Sequence, residues 1–230
     1  MAKKGKGKYF LIIFMLITTS VVTYIYSNRI ENTIAESSFP SEIVYDFEGD
    51  EIGEHPDGWS GSSWSGTEVI AWEKDKSYGQ VAEIANRDGE GVELAARFKK
   101  AERGVIEFDI YLDYDERVGI DITQMTSEHD PADDICISLG TDNAIKVKDG
   151  DDNFVKVQSF SPKQWYHFKV EFNVEYWELW IDEEQVLLYS NSYIGYYEVP
   201  PYFCELYFST YEEDNCFYID NIEITVIETI

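Results

Sequence analysis

Hydrophobic and polar residues alternate along most of this chain. Over residues 105–113, Ile106, Phe108, Ile110 and Leu112 take every second position, and Glu107, Asp109, Tyr111 and Asp113 fall between them. A period of two places successive side chains on opposite faces of a strand, so each such run predicts a strand with one buried face. Val118, Ile120 and Ile122 continue the pattern. Tyr166, Phe168, Val170, Phe172 and Val174 extend it over a long strand, and Trp177, Leu179 and Ile181 over the next. Cys204, Leu206 and Phe208 predict a strand that ends at a turn over 211–215. Shorter candidates are 43–47, 67–72, 80–85, 92–98, 135–139, 144–148, 154–160 and 185–189. Turn chemistry at Asp88-Gly89, 140–143, Asp149-Gly150 and Ser161-Pro162 separates several of them.

The last run changes parity. Phe217 and Ile219 share one face, whereas Ile222, Ile224 and Val226 share the other. If all five are core, a β-bulge lies near Asp220-Asn221 and re-aims Asp220. Many short strands with one apolar face each, and no second composition class, predict one all-β domain over 42–228. Its architecture is a two-sheet antiparallel jelly-roll sandwich.

One segment has a different pattern. Residues 9–26 run without a charge behind Lys3, Lys4, Lys6 and Lys8. Eighteen helical residues span about 27 Å, close to the roughly 30 Å hydrocarbon core of a bilayer. The expectation is a cytoplasmic basic tail (1–8), a transmembrane signal-anchor helix (9–26), a polar stalk (27–41) and the domain outside the cell. A cleaved signal peptide is the rival, with only weak cleavage sites at Thr18-Thr19-Ser20 and Thr33-Ile34-Ala35. Either way the domain is extracytoplasmic.

Charge then removes whole function classes. The 230 residues carry 18 Lys+Arg against 45 Asp+Glu, a net charge of −27. Such a surface repels phosphate backbones and anionic lipid, which argues against nucleic-acid binding and against membrane contact through the domain itself. Cys136, Cys204 and Cys216 are an odd number for an exported chain. Cys204 and Cys216 fall on runs that read as adjacent strands, so either those two pair or all three are buried thiols. No catalytic or phosphate-binding motif of the G-x-S-x-G or glycine-rich kind is present, and His55, His129 and His167 are scattered.

Several short motifs carry a family resemblance. Asp46-Phe47-Glu48-Gly49-Asp50 with Pro56-Asp57-Gly58-Trp59 resembles the opening of secreted lectin-like jelly rolls. The stretch 165–170, followed by Leu179-Trp180-Ile181-Asp182, resembles the hairpin of laminin-G-like domains, with Glu183-Glu184 where glycine is usual. Phe217-Tyr218-Ile219-Asp220-Asn221-Ile222 resembles their closing strand. The chain is thus similar, over about 42–227, to the concanavalin A-like lectin/glucanase superfamily. The resemblance implies an extracytoplasmic sandwich, and at Glu48 and Asp220 a structural calcium ion.

Three constellations are candidates for chemistry. Glu107, Asp109 and Asp113 resemble the catalytic strand of family 16 glucanases, although Leu112 and Asp113 depart from it; the alternative is a solvated acidic face. The loop Asp149-Gly-Asp151-Asp-Asn153 has the opening of a calcium loop but lacks its later glycine and glutamate. Aromatic residues opposite core positions could stack on sugar rings, with carboxylates to accept hydroxyl protons. Trp180, Tyr207 and Trp165, with Glu107 and Asp109, are the candidate ligand contacts. Trp59, Trp64, Tyr193, Tyr196, Tyr197 and Tyr202 lie in loops or at strand ends, and Trp59 and Trp177 read as core. The expected function is a single-pass, membrane-anchored lectin-like domain that binds carbohydrate without catalysis. A structural or adhesive domain binding a cell-surface protein, and a divergent glycoside hydrolase, are the alternatives.

Overall fold

The computed structural model describes residues 39–61, 66–74, 77–87, 89–114, 117–125, 134–140, 142–148, 153–173, 175–190 and 202–227. Among them, in chain order, run β1 (Glu42–Tyr45), β2 (Thr67–Ala71), β3 (Gln80–Ala85), β4 (Val92–Ala101), β5 (Arg103–Leu112), β6 (Val118–Met125) and β7 (Ile135–Leu139). There follow β8 (Ala144–Lys148), β9 (Phe154–Ser159), β10 (Trp165–Asn173), β11 (Tyr176–Ile181), β12 (Glu184–Ser190), β13 (Tyr202–Thr210) and β14 (Cys216–Ile227). They form two antiparallel sheets, an all-β architecture consistent with a jelly-roll sandwich. The first runs β12-β11-β10-β5-β14-β3-β2, with β1 also paired to β14; the second runs β4-β13-β6-β7-β8-β9.

Register explains why the alternation closes a core. Phe108 lies opposite Phe168, Ile110 opposite Tyr166, and Ile106 opposite Val170, so the apolar sets of β5 and β10 share one face. Phe108 stacks on Phe168 at 5.3 Å and meets Phe208 of the second sheet edge-on at 5.1 Å. Trp59 and Trp177 are buried with this core, as expected. The predicted bulge is present: pairing of β14 with β5 shifts register between Asp220 and Glu223, with Asn221 at φ +49°. Phe217, Ile219, Ile222, Ile224 and Val226 are all buried as a result.

A second bulge was not legible in the pattern. Both partners of β13 shift register between Phe203 and Glu205. Phe203 therefore enters the core in place of Cys204, which is half-buried. The expectation that Cys204 and Cys216 lie on adjacent strands is also corrected. They belong to different sheets, and all three cysteines are free thiols. Burial pushes the Cys204 thiol up to about 11 and the Cys216 thiol up to about 12.

The 9–26 anchor, nearly all of the stalk, Trp64, Val174, the loop acids at 149–152 and Tyr193, Tyr196 and Tyr197 lie outside the described residues. No helix among the described residues is long and apolar enough to cross a membrane.

The β11–β12 hairpin accounts for the sequence departure at Glu183. Asp182 and Glu183 form a two-residue connection, both with positive φ (51° and 66°). Two left-handed residues match the twist of the flanking strands, and glycine normally supplies at least one of them. Asp182 compensates in part, because its Oδ1 accepts the His167 backbone N–H at 3.0 Å. Among the described residues the Glu183 side chain makes no such bond. Glu183→Gly is expected to stabilise the domain by about 1 kcal/mol, read as a higher urea midpoint at unchanged slope.

Candidate functional site

Core parity assigns each candidate to an outer face. Glu107, Asp109, Trp165 and Trp180 lie on the outer face of the first sheet, opposite Phe108, Tyr166 and Leu179. Tyr207 lies on the outer face of the second, between the buried Leu206 and Phe208. The structure therefore brings four of the five together and separates the fifth.

The first face is closed by its own side chains. Asp109 is buried and fully engaged: Oδ1 faces His167 Nδ1 at 2.8 Å, and Oδ2 accepts the Tyr78 hydroxyl at 3.0 Å and Asn221 Nδ2 at 2.8 Å. His167 Nε2 lies 3.4 Å from Glu107. Trp165 is stacked on Tyr78 at 4.0 Å and packed against Trp72 at 5.0 Å and Tyr111 at 5.5 Å. The Lys169 ammonium sits 5.2 Å from the Trp180 ring centroid, over the surface a sugar would use. Asp113 is ion-paired to Lys74, whose Nζ lies within 4.3–5.1 Å of the ring centroids of Tyr218, Tyr111 and Trp72. Glu107 and Asp113 are also six residues apart along an extended strand, about 20 Å. A glycosidase pair needs about 5–9.5 Å. Each of the two carboxylates instead faces a cation-bearing neighbour, Glu107 at His167 and Asp113 at Lys74.

Glu48 and Asp220 meet where β1 and β3 adjoin along β14. β1 pairs with its C-terminal half and β3 with its N-terminal half, on either side of the bulge. Glu48 Oε1 accepts the Gln80 backbone N–H at 2.8 Å, and Gly79 leaves space for that carboxylate. Asp220 is 3% exposed, and its Oδ1 is buried without a hydrogen-bond partner. Burial pushes its carboxyl up to about 7, aided by the charges of Asp109, Asp46 and Glu48 and opposed by the Asn221 backbone N–H. Among the described residues no three His, Cys, Asp or Glu side chains converge closely enough to hold a metal ion.

The second face is open. A cavity of about 370 Å³ lies at one end of it, where β6, β7, β8, β9 and β13 end or begin. Its lining includes Arg117, Asp121, Cys136, Ser138, Lys148, Phe154, Ser209 and Tyr211. Gly119 faces Ser209 so closely that a Cβ would stand 2.8 Å from Ser209 Oγ, so glycine keeps the floor low. Phe154 and Tyr211 are both exposed and offer aromatic surface at the wall. Tyr211 is held by its hydroxyl, which donates to Glu93 Oε1 at 2.5 Å. Asp121 accepts a hydrogen bond from the Cys136 thiol; burial raises the Asp121 carboxyl, while Cys136, Lys148 and Arg117 oppose the rise.

Tyr207 is register partner to Asp121 and so flanks this cavity. Its phenol is pushed up to about 12, first by burial and then by the charge of Glu205 and a hydrogen bond to it. The sequence reading named Tyr207 but missed the cavity. The available signal was the outward set opposite the core of β6 and β13, namely Gly119, Asp121 and Ser209. Arg117, Lys148 and Phe154 flank strands whose neighbours periodicity cannot supply.

No family model matches the chain, and no curated protein matches it. Solved structures do. A sialidase superposes with a TM-score of 0.65 at 14% identity, covering 83% of this chain and 19% of its own. The alginate lyase Aly36B gives 0.60 at 11% identity over 84% of this chain and 100% of that one. A Bacteroides ovatus glycoside hydrolase of family 16 gives 0.54 at 12% identity, over 76% and 98%. The chain thus spans about a fifth of the sialidase and nearly the whole of the other two. These similarities show a shared jelly-roll sandwich of the concanavalin A-like fold.

Asp220 makes stability depend on pH in a defined direction. Its folded-state pKa of about 7 lies above the ordinary carboxylate range, so the native state binds more protons than the unfolded chain between about pH 4 and pH 7. The stability present at pH 4 is therefore lost as pH rises through that window. In the presence of chelator, Asp220→Asn is expected to match the wild type near pH 4 and exceed it at pH 8. The difference should be on the order of a few kcal/mol, measured by urea unfolding at each pH; parallel pH profiles would refute the assignment.

Proposed function

We propose that this protein binds glycan without transforming it, through the cavity on the outer face of the second sheet. The observation that carries the reading is the cavity itself. At about 370 Å³ it falls within the volume range of small-ligand pockets, and it combines exposed aromatic rings with hydroxyls and carboxylates. Pyranose rings stack on such rings while hydroxyls and carboxylates take up the sugar O–H groups. Similar structures support a saccharide ligand: one is a mutant alginate lyase in complex with alginate tetrasaccharide, another the family 16 enzyme in complex with its product. Residues 9–26 would anchor the chain in the membrane, with its N-terminus in the cytoplasm and the sandwich outside.

One observation favours a hydrolase as the second reading. Asp121 has a raised carboxyl and shares the cavity with Glu212, and a glycosidase uses one carboxyl kept protonated as its acid. Binding and hydrolysis are separated by one assay on a panel of polysaccharides. Depletion of the full-length protein from solution, with no new reducing ends, is the expected result. Tyr211→Ala is expected to weaken that binding about tenfold, an amount in keeping with one lost aromatic stack. Release of reducing ends that Asp121→Asn abolishes would establish the hydrolase instead.

Calcium enters the proposal through Glu48 and Asp220. Its support is the partnerless Asp220 oxygen in a crowded carboxylate environment, a setting a cation relieves. A calcium ion takes roughly six to eight oxygens, so these two side chains would supply part of its shell. The wild-type melting temperature is expected to rise with calcium over chelator, and that of Asp220→Asn to stay fixed. A wild type indifferent to calcium removes the ion from the account.

A further inference from the structure

The outer face of the first sheet holds three rings around one ammonium. Trp72, Tyr111 and Tyr218 are all buried, and Lys74 Nζ lies over them at 5.1, 4.7 and 4.3 Å from their centroids. We propose that these rings form a binding site for a trimethylammonium group, and that Lys74 is a tethered plug which such a ligand displaces. The site lies on the other sheet from the cavity and does not rest on the glycan reading.

The rings stand as walls. Trp72 meets Tyr111 at 5.0 Å and 77°, Trp72 meets Tyr218 at 5.2 Å and 67°, and Tyr111 meets Tyr218 at 6.0 Å and 64°. Three mutually steep planes thus make a box with the ammonium inside. A cation within about 6 Å of a ring centroid is attracted by the negative ring face, and here three rings act on one charge. The sheet fixes two of the walls, because Tyr111 and Tyr218 are register partners on β5 and β14. Trp165 supports the other side, 5.0 Å from Trp72 and 5.5 Å from Tyr111. Asp113, one residue past the end of β5, adds a carboxylate: it pairs with Lys74 and accepts the Tyr218 hydroxyl at 3.4 Å.

Lys74 suits this box less well than a methylated cation. A lysine ammonium is compact, strongly hydrated and carries three donors. Ring faces offer those donors little, and among the described residues Asp113 is the acceptor that Lys74 has. A trimethylammonium group carries the same charge without N–H donors. It enters an aromatic box at lower desolvation cost and lays methyl groups on all three rings. Lys74 is also able to leave. It lies on the connection between β2 and β3, its side chain is 37% exposed, and that of Asp113 is 24% exposed, so the ammonium end of the box meets solvent.

The charge of the whole chain favours such a ligand. At a net charge of −27 the protein attracts small cations and repels anions. The plug has a cost in affinity, because an external cation binds only in the fraction of molecules whose box is vacant. Removing Lys74 therefore raises affinity, an outcome that a purely structural lysine would not produce.

The test titrates the purified full-length protein with tetramethylammonium, choline and phosphocholine by calorimetry, with potassium as the control cation. Lys74→Gln is expected to bind tetramethylammonium at least about tenfold more tightly than the wild type, with unchanged circular dichroism and no response to potassium. Choline bound more tightly than phosphocholine identifies a free quaternary ammonium as the ligand, and the reverse order a phosphocholine headgroup. Adding Asp113→Asn to Lys74→Gln is expected to weaken binding about tenfold, whereas adding Tyr218→Phe, which keeps the ring, should preserve it. A folded Lys74→Gln that gains no affinity, or that takes potassium equally well, overturns the proposal. If Lys74→Gln does not fold, the wild type decides. Excess tetramethylammonium is expected to speed acetylation of Lys74 relative to the other lysines, read by mass spectrometry, and unchanged labelling overturns the proposal.

Discussion

Phe108 stands between Phe168 beside it and Phe208 across the sandwich. The two contacts join the sheets, and they also set the parity of everything else. With Phe108 inward, Glu107, Asp109 and Tyr111 must point out of the first sheet. With Phe208 inward, Tyr207 and Ser209 must point out of the second. A slip of one residue in either strand would exchange core and surface wholesale, which is why burial specifies the register so strongly. Function on either outer face is therefore a by-product of how the phenyl rings pack.

The two faces received different treatment from the chain. On the first, the segment between β2 and β3 delivers Trp72, Lys74 and Tyr78 onto β5, β10 and β14. Their rings and ammonium cover Tyr111, Trp165 and Tyr218. That small second core holds Asp109 in place, and its polar atoms are mostly satisfied, although the Trp72 and Trp165 indole nitrogens are buried without partners. On the second, Gly119 takes the outward position beside Ser209, and no described residue fills the space above. One face has been turned into protein interior, whereas the other carries an open cavity. Because covering a sheet face with aromatic rings also removes those rings from ligand, an aromatic count alone overstates how much sugar-binding surface a chain offers.

That distinction marks the limit of what periodicity can reveal. The strands, the Asp220 bulge and the inward or outward sense of Trp165, Trp180 and Tyr207 were all legible, because each depends only on local alternation. The β13 bulge was not: Cys204 and Phe203 are both plausible core residues, and only the pairing with β4 and β6 selects Phe203. Strand order was also hidden. Cys204 and Cys216 are close in sequence yet lie in opposite sheets, because the 211–215 turn crosses the sandwich instead of closing a hairpin. The cavity required the same missing knowledge. Arg117, Lys148 and Ser209 lie on or beside strands far apart in the chain, and only the order β13-β6-β7-β8 brings them together.

Cations are placed selectively in this acidic chain. A uniformly acidic coat would suit solubility and exclude polyanions, and most of this chain fits that description. Cations in such a chain are informative by position. Arg87 is paired to Glu68, Arg97 to Glu205, and Lys74 to Asp113, so these neutralise the protein's own acids. Arg117 departs from the pattern. Its backbone is held at both the N–H and the carbonyl, its guanidinium lies over a phenyl ring, and the neighbouring Glu212 is turned to an amide. Among the described residues its side chain forms no ion pair, so the cavity holds a cation that the chain's neighbouring acids do not pair directly.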